Sequence, residues 1–461
     1  MALPTYFDAM DYARMVREYP LGPDYEKFLR TVSRDELRAL QERRFASLMK
    51  RGWEVKFYQR LWGAKGIVPG DIRGLDDIAK LPTYSKAYIM DSIERAPPFG
   101  DFHGMETYAP DKRPPVVLHT TSGTTGTPQV LLFGPWSREI QNIMLARLYM
   151  IAGLRPDDVV HSVYGHGMIN GGHYIRETFT HWTNSILLTA GTGNETRSLQ
   201  QVQNMVRFGV TVIVGFADYI KKLAQVAEAE GLKDKIKVRL IIGHMGRENK
   251  EAISESWGGA EIFDWYGVGD TGTVGFEGPD HDGLYLHEDA HFVELVDPET
   301  GAVSKPGEPG NLCVSCLFKD DIYPIIRFDT KDLSAFEEKP SACGYKVRRI
   351  QGFLGRSDNM VKLRGINIYP IGVGAIANEH PASLGEYICR VDRDKDGRDD
   401  MAIIVEVREQ TDTVRKEIAD MIRAKLGVEI GVELASLGDT APLTGVESRQ
   451  KAVRLIDNRF K

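Results

Sequence analysis

No stretch of this 461-residue chain fits G-x-x-x-x-G-K-[ST], so a Walker phosphate loop is excluded. No run approaches the roughly 18 apolar residues that a membrane helix needs. The start, Met1 to Asp8, carries an early acid and no apolar h-region, so a soluble cytoplasmic protein without a secretory leader is expected. Basic stripes are missing too, and a net charge of -7 argues against a nucleic-acid partner while being too mild for a disordered acidic tail. Cysteine is scarce: Cys313, Cys316, Cys343 and Cys389. Cys313-Val-Ser-Cys316 has zinc-like spacing but sits in a strand-like segment. Residues three apart on a strand point to opposite faces, so buried structural thiols are expected there. What remains is ordinary globular composition, 42% hydrophobic and 27% charged, enough for two or three domains with real cores.

The most informative stretch is His119-Thr-Thr-Ser-Gly-Thr-Thr-Gly-Thr-Pro-Gln129. It places hydroxyls and glycines between the apolar runs Val116–Leu118 and Val130–Phe133, and so reads as a loop between two buried strands. Glycines let backbone N–H groups turn towards a ligand, and hydroxyls add donors; such a loop suits polyphosphate oxygens. From about residue 116 to 275, strand-like runs at 158–163, 185–189, 210–215 and 238–243 alternate with helical stretches at 199–208 and 217–229. That alternation predicts an α/β layered domain. From 284 to 333 the period changes to two, with turn clusters at 297–301 and 305–310, which predicts a β-rich lobe. Residues 24–60 read as surface helices, and 355–461 as a small α+β domain.

The order Thr121-Ser-Gly-Thr-Thr-Gly-Thr-Pro128, Asp264-Trp-Tyr-Gly-Val-Gly-Asp270, Arg327-Phe-Asp-Thr-Lys-Asp332, Gly355-Arg-Ser-Asp358 and a C-terminal Lys451 resembles the adenylate-forming acyl-CoA synthetase superfamily. Phe57-Tyr-Gln-Arg-Leu-Trp62, the stretch from Asp71 to Pro82, and Arg364-Gly-Ile-Asn-Ile-Tyr-Pro370 are similar to its phenylacetate–CoA ligase branch. The resemblance implies a large N-terminal adenylation domain over 1–354, a hinge at 355–358 that includes Asp358, and a small mobile C-terminal domain over 359–461. It further implies an AMP-forming carboxylate–CoA ligase that uses ATP, Mg²⁺ and coenzyme A. A small carboxylic acid is the partner expected, with a homodimer as the assembly considered.

Site residues follow from the same resemblance. Thr121, Ser122, Gly123, Thr124, Thr125 and Gly126 would cradle phosphates. Many relatives close this loop with Pro-Lys, whereas here Pro128 is followed by Gln129, a hydrogen-bonding group without charge. Tyr266 and Gly267 would meet adenine. Asp270, one methylene shorter than the family's Glu, would hold the metal, with Glu277 as a spare acid. Asp332 and Arg356 would take the ribose. Lys451 would bridge the carboxylate and the α-phosphate. It follows Gln450 where relatives carry Gly, which leaves Arg449 as the rival. Gly365 would line the pantetheine tunnel. The acyl pocket would draw one wall from Val163 to Tyr174, including Tyr164, His166, Asn170 and His173, and the other from Ile242 to Gly246, including Gly243 and His244.

Those polar walls favour a hydroxylated acid, either a small 2-hydroxy acid such as 2-hydroxyisobutyrate or a hydroxyaryl acid. An apolar pocket would suit phenylacetate or benzoate. Two other readings stay open. One is an enzyme that loads a carrier protein; the other is a degenerate nucleotide-binding sensor, suggested by Gln129 and Asp270. Two motifs mimic metal sites. His287-Glu-Asp-Ala-His291 fits H-E-x-x-H but lies in the segment 283–296, which reads as strand, not helix. Asp392-Arg-Asp-Lys-Asp-Gly397 opens like a calcium loop, yet its twelfth position is Ile403, so a hairpin turn is expected.

Overall fold

A computed structural model describes residues 4–121, 128–305, 307–364, 366–393, 398–446, 449 and 451–459. The chain is mixed α/β and divides into two compact units. One comprises Met1–Asp158, His166–Leu187 and Phe263–Gly352; the other comprises Val159–Gly165, Leu188–Ile262 and Phe353–Lys461.

In the first unit, the helix Arg34–Glu54 begins at a capping box: Ser33 and Glu36 satisfy each other's backbone amides. The helix Pro135–Ile151 is buried along almost its whole length, as befits a helix that is not amphipathic. It packs beside the strand Gly272–Glu277, which belongs to an antiparallel run with Glu261–Val268 and Leu284–Leu286. A second antiparallel sheet joins His291–Val296, Gly310–Cys316 and Phe328–Ser334, the expected β-rich lobe. Cys313 and Cys316 lie fully buried on its middle strand, and all four cysteines are free thiols.

Two sequence expectations change here. Residues 283–296 are not one strand: the chain turns at 287–290, with His291 N–H donating to the His287 carbonyl at 2.8 Å. The turn is held from outside. His287 Nδ1 meets Tyr25 Oη at 2.8 Å, Glu288 takes Arg34 and Arg348, and Asp289 takes Arg147. The two histidines of the zinc-like motif therefore serve packing, and no metal-holding group of three or more His, Cys, Asp or Glu exists among the described residues. The second change concerns the strands flanking the threonine-rich loop. Val130–Phe133 is largely buried, but its partner Val117–Thr120 is only partly so, with Val117 at 41% exposure and His119 alone buried.

In the second unit, Val159–Ser162, Val212–Phe216 and Leu240–His244 run parallel. Parallel neighbours need a crossover, and the helix Ala217–Ala229 supplies the one between the last two strands. Ile213, Ile220, Leu223 and Ile241 close the core beneath it. Towards the C-terminus, Ser383–Arg393 and Asp399–Val407 pair antiparallel, flanked by the parallel strands Leu455–Asp457 and Gly431–Ala435. The helices Pro370–Asn378 and Asp412–Leu426 cover this sheet around Val373, Ile403 and Ile418. Register pairs Asp392 with Asp400 and Arg393 with Asp399, so the first two calcium-like residues belong to a β ladder, while 394–397 lie outside the described residues. No described helix is long and apolar enough to cross a membrane.

Candidate active site

In the first unit, the hairpin Val117–Thr120/Val130–Phe133 frames the threonine-rich loop. Ser122, Gly123, Thr124, Thr125 and Gly126 lie outside the described residues, as does Gly365. Thr121 closes the base of the loop: its amide donates to the Gln129 carbonyl at 3.0 Å, and the Gln129 amide donates to Thr121 Oγ1 at 3.2 Å. The Gln129 side chain is buried and donates from Nε2 to Asp270 Oδ1 at 2.7 Å. Tyr323 Oη donates to the same oxygen at 2.9 Å. The two departures from the family pattern, Gln for Lys and Asp for Glu, are thus one contact.

Burial raises the Asp270 carboxyl above its ordinary range, against the pull of Tyr323, Lys319 and Gln129. Lys319 was not anticipated from sequence. It is fully buried, donates to the Asp270 carbonyl at 3.1 Å and sits over the rings of Phe133 and Tyr323. A lysine between Phe318 and Asp320 carries no sequence signal of burial. Glu277 accepts from the Asp264 amide at 2.7 Å, a backbone-capping role. Magnesium takes one or two carboxylates together with substrate phosphates. Asp270, beside the residue that closes the loop, fits that donor chemistry.

Tyr266 and Asp332 come together. Tyr266 Oη lies 2.8 Å from Asp332 Oδ2 and 3.1 Å from Thr330 Oγ1. Gly267 has no room for a side chain, since a Cβ there would sit 2.2 Å from the Gly272 carbonyl oxygen. Two non-glycine residues of the Arg327–Asp332 motif have positive φ, Arg327 at 57° and Lys331 at 64°. Such strain gathers at functional sites. The Arg327 guanidinium is fixed by two 3.0 Å contacts to Glu294. In the second unit, Arg356 makes a fork with Asp358, at 2.8 and 2.7 Å, within the expected hinge.

The first expected acyl wall divides between the units, residues 163–165 in the second and 166–174 in the first, and the other wall lies in the second. In the first, His119 stacks on His173 with centroids 4.7 Å apart, and His166 meets His173 edge-on at 5.5 Å. His173 Nε2 lies 2.8 Å from the Gly167 carbonyl, and Asn170 accepts from Arg138 at 2.7 Å. His119 joins this cluster unannounced, because strand alternation alone does not say which face meets another element. Burial, helped by Arg138 and His173, lowers its pKa to about 4, so its imidazole is neutral at working pH. In the second unit, Phe216 stacks on His244 at 4.7 Å, and Tyr164 contacts both rings at 5.1 and 6.1 Å. Gly243 faces Gly215 across the parallel strands, and a Cβ on it would lie 1.8 Å from the Gly215 carbonyl oxygen. Lys451 Nζ sits 5.4 Å from the Phe216 ring centre. Arg449 instead folds back over Gly445, its amide donating to that carbonyl at 2.8 Å.

A histidine held neutral by burial has a thermodynamic consequence, as a second case, His291, shows. Burial also holds His291 at about 4, whereas an unfolded histidine binds its proton near pH 6.5. Between those values the unfolded chain carries the extra proton, so this contribution to stability is lost as pH falls from about 6.5 to 4 and is flat below. His291→Gln should therefore narrow its melting-temperature gap to the wild type across that interval. A gap independent of pH would contradict the assignment.

Residues 365–459 match the AMP-binding enzyme C-terminal domain. Over 93% of this chain, the sequence is 30% identical to the phenylacetate–coenzyme A ligase of Aromatoleum evansii, covering 96% of that protein. The chain belongs to the phenylacetate–coenzyme A ligase family. Family members from Thermus thermophilus and Escherichia coli are each 28% identical, over 92% and 94% of this chain and 98% and 97% of theirs. The chain is accordingly an AMP-forming acid–thiol ligase that works through an acyl-adenylate and uses ATP, Mg²⁺ and coenzyme A. Enzyme membership replaces the sensor reading. The fold superposes on 2-hydroxyisobutyryl-CoA ligase in its postadenylation state with 2-HIB-AMP, at a TM-score of 0.83 and 24% identity, covering 100% of this chain and 98% of that one. Against the same enzyme with CoA in the thioesterification state the TM-score is 0.66 at 25% identity, over 94% and 92%.

Proposed function

We propose that this ligase activates a small hydroxylated carboxylic acid, with small 2-hydroxy acids such as 2-hydroxyisobutyrate ahead of hydroxyaryl acids. The observation that carries this reading is the imidazole cluster of His119, His166 and His173, polar side chains gathered at the stretch proposed for the acyl wall, where a plain aryl pocket would call for apolar surface. The phenol of Tyr164 and the imidazole of His244, in the second unit, are further polar groups on the stretches proposed for the acyl walls. The 2-hydroxyisobutyryl-CoA ligase likeness supports the same substrate class. The phenylacetate reading is favoured by the names of the 28–30% identical relatives and serves as the competing arm of the test.

In the mechanism we infer, a carboxylate oxygen attacks the α-phosphorus of ATP. The bond to the bridging oxygen breaks, and pyrophosphate leaves with both electrons. The thiol of coenzyme A then adds to the acyl carbon, loses its proton, and expels AMP. Tyr266 and Asp332 hold the nucleoside, the phenol keeping the carboxylate oriented for two ribose hydroxyls. Thr121 to Gly126 take the phosphates. Asp270 would hold Mg²⁺, which would supply positive charge against the phosphates. Arg356 reaches the ribose once it leaves Asp358, with 355–358 as the hinge between domains 1–354 and 359–461. Gly365 lines the thiol channel. Lys451 neutralises the charge that gathers between carboxylate and α-phosphate.

Chromatography of a reaction mixture across aryl, hydroxyaryl and short 2-hydroxy acids tests this. AMP and pyrophosphate are expected, and ADP with phosphate would remove the mechanism. Coenzyme A turnover in the same mixtures separates a free thioester product from loading of a carrier protein.

A further inference from the structure

Asp218 stands two residues after Phe216, in the first turn of the helix Ala217–Ala229. Its carboxylate receives the guanidinium of Arg454, from the last strand-forming segment of the chain, and the backbone amide of Ala452. Both donors lie within three residues of Lys451, whose ammonium sits over Phe216. Arg454 is held on its other side as well: Nη1 meets Glu386 Oε2 at 3.0 Å and the Tyr387 carbonyl at 2.7 Å, and its carbon lies 4.5 Å from the Tyr387 ring centre. Lys221, one turn along the same helix, completes the cluster. It contacts Glu248 at 2.8 Å, the Gly385 carbonyl at 2.8 Å and Glu386 at 3.4 Å. Two cations and three carboxylates thus meet where residues 385–387 and 452–454 touch one helix.

This is more than is needed to pin a chain end. An arginine paired with Glu386 alone would already be satisfied. The additional bond from Ala452 N–H to Asp218 fixes the backbone immediately after Lys451, and the helix start favours a negative charge there. We infer that Asp218 is a positioning residue for adenylation: by gripping Ala452 and Arg454, it sets the Lys451 ammonium at the aromatic wall formed by Tyr164, Phe216 and His244. The inference rests on the role proposed above for Lys451. Asp218 itself touches no reacting atom.

The test uses the full-length enzyme and two separate assays. One is pyrophosphate release with ATP and 2-hydroxyisobutyrate, or whichever acid the panel selects; the other is thioester formation from supplied acyl-adenylate and coenzyme A. Asp218→Asn keeps size and should slow the first by about 10²-fold, the scale of a misplacement of roughly 1 Å. It should leave the second unchanged. Arg454→Lys, which keeps the charge but not the fork, should act in the same direction and more weakly. The double variant Asp218→Asn with Lys451→Ala should be no slower than Lys451→Ala alone, because the two losses share one group. Equal slowing of both assays, with a lowered melting temperature, would mean a purely structural ion pair and overturn the inference. Additive losses in the double variant would overturn it as well. If Lys451→Ala leaves pyrophosphate release intact, the Lys451 reading itself fails. If Lys451→Ala is slow and Asp218→Asn is normal, only the positioning role is lost.

Discussion

Replacing Lys451 by Ala should slow acyl-adenylate formation by about 10²-fold or more, the scale of losing one preorganised charge at a transition state. Conversion of supplied acyl-adenylate to thioester should continue near the wild-type rate. Two anions approach each other in the first half-reaction, and none do in the second, so a cation matters in one and not in the other. Lys451 lies over Phe216, beside His244 and Tyr164, while Arg449 is folded back on Gly445. Quenched-flow measurement of pyrophosphate against thioester separates the steps. Should Arg449→Ala show this split and Lys451→Ala not, the ammonium has been given to the wrong residue.

A hydroxylated acid should beat its deoxy analogue by on the order of 10²-fold or more in kcat/KM, as sites built around a substrate hydroxyl do when that hydroxyl is missing. The physical reason is the unpaired donor or acceptor left in the wall, a penalty of about 1–3 kcal/mol for each buried polar group. The matched pairs are 2-hydroxyisobutyrate with isobutyrate and hydroxybenzoate with benzoate, the first pair giving the larger ratio. His166→Ala should narrow it by removing one imidazole of the cluster with His173 and His119. Because His119 stays neutral down to about pH 4, its protonation should leave the ratio unchanged between neutral and mildly acid pH. Faster turnover of phenylacetate or benzoate than of every hydroxylated acid would return the pocket to the aryl class.

Much of this was legible from local signals. The helix predicted at 217–229 is found at Ala217–Ala229, and the hairpin around the threonine-rich loop follows its glycines and flanking apolar runs. Motif order gave the reaction class. What stayed hidden was contact between distant residues. Asp218 and Arg454 are 236 positions apart, and nothing periodic links them. Phe216 reads as the end of a buried strand, and only the fold makes it the platform for Lys451. The break at 287–290 was missed because alternation there looks like strand, while Arg34, Arg147 and Arg348 arrive from elsewhere to satisfy the carboxylates of a turn. Gln129 and Asp270 each looked like a defect, and their pairing is visible only in three dimensions.

If the proposed acyl wall is right, the facing glycines at 215 and 243 divide the labour of substrate choice between main chain and side chains. A methyl on Gly243 collides with backbone, not with a movable rotamer, so the depth of that wall is inherited with the fold and is closed to single-step drift. Polarity is not inherited in this way. Tyr164, Phe216 and His244 hang on the same backbone and can be exchanged without parting the strands. Descendants of this sequence, natural or selected from a library, should therefore diverge in the chemistry of the acid they accept much sooner than in its size.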